Sequence, residues 1–145
     1  MVRWHEMLHA IADSLGCCRF QEAFTSPHAI KFAEFSELVQ LATGIDIPPS
    51  RLKEEIGERI VTTERLFLGK MGVGSREHDQ FPWVYYRPVV GGKYDGEVME
   101  RDKVEQFLDE YYAQHGWDNN GVPTKELVQK LEIEDITGQA RQIAG

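Results

Sequence analysis

Apolar residues recur every three or four positions at the start of the chain. Trp4, Met7, Leu8, Ile11 and Leu15 make one face of a helix, and Gly16 follows where a left-handed cap would close it. The spacing predicts a first helix over 2–15. A second helix is expected to open with Ser26 as N-cap and Pro27 at its first position. It would present Ile30, Leu38 and Leu41 among Phe32 and Phe35, and end at Gly44. Ser50 is placed to cap a third, over 50–68, whose face is Leu52, Ile56, Ile60 and Leu66, with Gly57 as a weak point. Helical period then vanishes across 69–100, a glycine- and aromatic-rich stretch containing FPWVYY. It returns at Val104, Phe107, Leu108 and Tyr111, closed by Gly116, and a short last helix follows a Thr124 cap. Residues beyond Asp135 read as frayed. The pattern predicts a mainly α fold, one domain over 1–145 with four or five helices around a long irregular central segment. No internal repeat or low-complexity tract interrupts it. An irregular segment of that length in a small domain is expected to be functional or to lie against another surface.

Composition narrows the classes. A chain of 145 residues that is 41% hydrophobic can build one core. Its net charge of −8, without a basic cluster, argues against a nucleic-acid partner. No window is apolar enough to cross a membrane. Arg3, His5, Glu6, His9 and Asp13 break up the N-terminal stretch, unlike a signal peptide, so a cytoplasmic protein is expected. The two cysteines are neighbours, Cys17 and Cys18, a poor arrangement for a disulfide framework and one that suits reduced thiols.

Three groups of residues could carry chemistry. His5-Glu6-x-x-His9 matches the helical zinc motif of a hydrolase, two imidazoles on one face with Glu6 as general base. A third ligand is lacking, because Ala12 and Leu15 stand at the following turns. Cys17 and Cys18 would by themselves be packing residues, and any iron–sulfur cluster would have to be shared, since such a cluster takes four cysteines. Asp13, beside the Gly16 turn, is either a solvated carboxylate or an acceptor for a ligand's N–H groups. Tyr111, Tyr112 and the HGW sequence read as core and cap, and Arg76–Asp79 as a solvated turn.

Taken together, these residues resemble a known family. DSLGCC followed by RF is similar to the D-x-x-G-L-C motif in the C-terminal region of the tungsten-containing aldehyde:ferredoxin oxidoreductases. GERIVTTERLF, SREHDQFP and LDEYYAQHGWDNNGVPTKE follow in the order that region would have, so the resemblance runs from about Trp4 to Ile133. It implies a turn beside a tungsten held by two pterins and a four-iron four-sulfur cluster. By position, Asp13, Gly16 and Cys17 would form the cofactor-facing turn, with Asp13 a pterin ligand and Cys17 a packing residue in place of the motif's leucine. Cys18 would be the metal ligand, the fourth cysteine of the cluster.

The resemblance also implies partners. An N-terminal β-rich domain and a middle domain, or a separate subunit carrying them, would supply the other three cysteines and a second D-x-x-G-L motif, and ferredoxin would receive the electrons. This chain by itself is expected to bind no cofactor and to be inactive. The implied reaction of the assembly is oxidation of an aldehyde to its carboxylate. Two alternatives remain: a non-catalytic helical interaction domain that has lost its cofactors, and the zinc hydrolase using His5, Glu6 and His9.

Overall fold

The computed structural model describes residues 1–21 and 28–133, and within them the chain is mainly α, with five helices and no named strand. The first, α1, runs Val2–Ser14 and buries Met7, Leu8, Ala10, Ile11 and Ala12, the face that the periodicity marked out. Leu15, one step past its end, is exposed. The second, α2, runs Phe32–Thr43, five residues later than Pro27 would start it. Lys31 and Glu34 set that start: the Lys31 N–H donates to the Glu34 carboxylate at 2.9 Å, the reciprocal contact of a capping box. Ser26 and Pro27 lie outside the described residues, as does the stretch expected to fray beyond Asp135. Of the face expected on α2, Phe32 and Phe35 are buried, whereas Leu38 and Leu41 are exposed and Val39 takes the inward position.

Three consecutive stretches make the long α3: Pro49–Arg51, a π-helical Leu52–Gly57, and Glu58–Lys70. The π turn has a packing reason. Gly57 lies against α1 so closely that a Cβ there would stand 3.1 Å from the Met7 Cβ and 3.3 Å from its sulfur. The glycine that reads as a weak point in sequence is thus a point of close packing between α1 and α3.

Arg101–His115 forms α4, with Val104, Leu108, Tyr112 and His115 inward and Phe107 exposed. Gly116 closes it in the left-handed conformation, and Lys125–Lys130 forms α5. Thr124 caps α5 as expected, its hydroxyl accepting the Leu127 N–H at 3.3 Å. The core is the meeting of α1, α2, α3 and α4, where Leu8, Phe35, Val104 and Tyr112 are at most 1% exposed. Burying each such side chain contributes about 1.5–3 kcal/mol.

The central segment is irregular apart from a 3₁₀ turn at Trp83–Tyr86, but it is anchored. The Arg76 guanidinium donates to the Glu105 carboxylate at 2.6 and 2.8 Å, to Asp109 at 2.7 Å, and to the Asn119 carbonyl at 2.9 Å. Arg101 lies over the Tyr86 ring at 4.1 Å. Beyond these anchors the segment displays Trp83, Tyr85, Val89, Val90 and Tyr94, all about half exposed or more. No helix among the described residues is long and apolar enough to cross a membrane.

Candidate cofactor-facing turn and the charge cluster behind it

The end of α1 is a tight left-handed turn. Gly16 takes φ +69°, a conformation that a side chain would strain even though nothing lies within 4 Å of where its Cβ would be. The Gly16 N–H donates to the Asp13 carbonyl at 3.1 Å and the Cys17 N–H to the Ala12 carbonyl at 2.8 Å. These two bonds fix the sequence that follows. Cys17 turns inward, half-buried against the core, while Cys18 faces solvent with a free thiol. The Gln21 N–H donates back to the Cys18 carbonyl at 3.0 Å, starting the 3₁₀ turn Arg19–Gln21.

Asp13 stands on the exposed side of the same turn, and both its oxygens are taken by Arg19. Nε donates to Oδ1 at 3.0 Å and Nη2 donates to Oδ2. Those hydrogen bonds hold the Asp13 carboxyl below its ordinary pKa, so it is a carboxylate at neutral pH. Beside the pair opens a cleft of about 220 Å³ whose polar walls include Glu6, His9 and Glu64. Asp13, Gly16 and Cys18 are therefore exposed around one turn, while Cys17 is half-buried against the core.

A second constellation lies behind the turn, and sequence reasoning missed it. His115, fully buried, has Nδ1 3.1 Å from Glu58 Oε1 and Nε2 3.2 Å from Glu6 Oε2. The Tyr111 hydroxyl donates to Glu6 at 2.7 Å, and Arg3 pairs with Glu58. Nearby, Arg65 donates to Asp79 at 2.9 Å and to the Gly121 carbonyl at 2.7 Å, and the Tyr112 hydroxyl donates to Asp79 at 2.5 Å. Tyr111, Tyr112 and His115 are core residues, as their sequence suggests, but with charged partners. In Arg76–Asp79, expected to be solvated, Glu77 and His78 are exposed, but Arg76 is held by α4 and Asp79 by Arg65 of α3. The only signal for these pairs in the sequence is the presence of titratable residues in apolar runs, which does not say which pairs with which.

The zinc motif does not assemble into a ligand set. His5 and His9 do stand one turn apart, with ring centroids 6.1 Å from each other, but the Glu6 carboxylate is engaged by Tyr111 and His115. Among the described residues no three of His, Cys, Asp and Glu are placed to hold a metal ion.

Helices and connections together define a mainly α domain whose first helix ends in a tight glycine turn. Residues 1–133 match the family described as aldehyde ferredoxin oxidoreductase, domains 2 & 3, and the chain belongs to that family as a C-terminal domain. It is 30% identical over 142 residues to the aliphatic sulfonate oxidoreductase, WOR-like subunit, of Pyrococcus furiosus, covering 95% of this chain and 22% of that protein. It is 29% identical over 130 residues to the tungsten-containing aldehyde ferredoxin oxidoreductase of the same organism, covering 89% of this chain and 20% of the relative. Among solved structures, one described as the active site complex BamBC of benzoyl coenzyme A reductase with 1,5-dienoyl-CoA superposes with a TM-score of 0.75. Its sequence identity is 26%, over 98% of this chain and 20% of that one. The chain thus spans about a fifth of the length of these relatives.

Proposed function

We propose that this chain is the cofactor-covering domain of an aldehyde:ferredoxin oxidoreductase-type enzyme and works only with the remaining domains. The observation that carries the reading is the turn at the end of α1, which points Cys18 out, packs Cys17 in, and presents the Asp13 carboxylate beside them. Cys18 as thiolate would hold one iron of a four-iron four-sulfur cluster, and Asp13 would accept N–H donors of one of two pterins that carry tungsten. The bound centre would supply the two-electron oxidation of an aldehyde and water to a carboxylate, releasing three protons, with the electrons leaving through the cluster to ferredoxin. Gly16 lets the backbone turn without a side chain at the cofactor face, and the buried His115 cluster fixes α1 against α3 and α4 so that the turn keeps its aim. The exposed Trp83, Tyr85 and Val90 suit a face covered by the domains that hold the other three cluster ligands. Such a thiol-ligated site, with reduced Cys17 beside it, belongs in a reducing cytoplasm.

The domain is similar to relatives named for aldehydes and for aliphatic sulfonates, and the substrate pocket would be formed largely by the other four-fifths of the enzyme. The test is a pair of substitutions in the assembly purified without oxygen. Cys18→Ser should lose most of the cluster iron and its visible absorbance, and Cys17→Ser should keep both. Full iron in Cys18→Ser overturns the assignment. The exposed aromatic face also supports a second reading, a non-catalytic interaction domain, under which neither substitution changes metal content and Trp83→Ala weakens partner binding.

A further inference from the structure

Arg19 engages Asp13 in a way that has a chemical counterpart. Its two donors, Nε and Nη2, are bonded to one carbon and reach the two oxygens of one carboxylate. The 2-amino-4-oxopyrimidine edge of a pterin carries the same arrangement, a ring N–H and an amino N–H on one carbon. Both groups fill the same lone pairs of the carboxylate, so only one can be there at a time. We propose that Arg19 is an internal stand-in for the pterin edge, keeping Asp13 aimed until the cofactor's own donors displace it. This rests on the reading above that Asp13 faces the pterin.

Two further features support displacement. The Arg19 and Asp13 side chains are 53% and 52% exposed, so their pairing is of the weakly stabilising surface kind and can be exchanged at little cost. The adjoining cleft also carries Glu64, a carboxylate that suits a ligand edge rich in N–H donors.

The test uses the chain assembled with its partner domains and freed of cofactor, with 6-hydroxymethylpterin as probe, followed by quenching of pterin fluorescence. Removing the competitor in Arg19→Ala should tighten binding about two- to fivefold, the range an exposed ion pair allows. Unchanged or weaker binding by Arg19→Ala overturns the proposal, as does the absence of saturable binding in both proteins. NMR of the Arg19 Nε–H supplies the independent readout: its hydrogen-bonded resonance in the wild type should move to that of a free arginine as pterin is added. If pterin binds and that resonance stays, Arg19 is not the group displaced, although the Asp13 reading stands. If Asp13→Asn binds pterin as well as the wild type does, the Asp13 reading itself fails.

Discussion

His115 lies between two carboxylates with a ring nitrogen near each, and only the doubly protonated imidazole can donate to both. Burial by itself pushes its pKa down, but the hydrogen bonds of Glu58 and Glu6 outweigh that and raise it above the ordinary 6.5. Arg3 faces Glu58 and Tyr111 faces Glu6, so the charge on His115 answers groups from α1, α3 and α4. A raised folded-state pKa means the stabilisation is complete below the unfolded value, about 6.5, and is lost as pH climbs through the folded value. His115→Gln leaves Glu58, 4% exposed, with Arg3 as its remaining charged partner. Breaking a buried pair of this kind costs about 3–5 kcal/mol, and the surviving Arg3 contact puts the expected loss near the lower end. For a domain of this size that corresponds to about 10 °C in Tm. The assay is urea denaturation of wild type and His115→Gln at pH 6 and pH 9. The gap should be about 3 kcal/mol at pH 6 and should narrow as higher pH draws the proton off the wild-type imidazolium. A gap equal at both pH values, or under about 1 kcal/mol at pH 6, would refute the reasoning.

Acid should act on the other member of the cluster. Burial raises the Glu6 pKa, but the hydrogen bonds of His115 and Tyr111 outweigh it and leave the pKa below the ordinary 4.5, so its stabilisation holds above about 4.5 and fades as pH falls further. Urea midpoints should drop below pH 4.5 in the wild type and drop less in Glu6→Gln. Gly57→Ala would put a Cβ 3.1 Å from the Met7 Cβ; the overpacking cost of about 1–3 kcal/mol outweighs the gain of about 1 kcal/mol from replacing a helical glycine, and the urea midpoint should fall at unchanged slope. Tyr111 and Tyr112 are both pushed well above the ordinary phenol pKa by burial and by their carboxylate partners. Two of the five tyrosines should therefore stay un-ionised in ultraviolet titration at pH 11 until the chain unfolds. Arg76→Ala removes the ties from the central segment to Glu105, Asp109 and Asn119, and limited proteolysis should then cut within 77–100 faster than in the wild type.

Much of the fold was legible where local signals act alone. The 3.6-residue period from Trp4 to Ile11 and the glycine after it placed α1 to within a residue of its end, because both the buried face and the cap are local. Thr124 was legible for the same reason. The start of α2 was not, since Lys31 and Glu34 form a capping contact that a lysine rarely signals. Leu38 and Leu41 followed the helical period yet face outward, because the inward side of α2 is set by what α1 and α3 leave uncovered. The site divides in the same way. Asp13, Gly16, Cys17 and Cys18 are contiguous in sequence and were identified from a motif, whereas His115, Glu58 and Glu6 come from three helices, and no spacing along the chain joins residues 57 and 109 positions apart. Arg19 was passed over because an exposed arginine beside a turn is ordinary; only its two-pronged contact with Asp13 singles it out.

Under the proposed function, this chain covers a tungsten–pterin and iron–sulfur centre completed by other domains. Elemental analysis for tungsten, molybdenum, iron and zinc, on the chain purified without oxygen from its native host together with whatever chains accompany it, tests this at once. Tungsten is expected with about four irons per copy of this chain, along with an accompanying sequence that carries three further cluster cysteines. Preparations with intact partners but neither tungsten nor molybdenum nor iron, or with zinc alone, would overturn the proposed function.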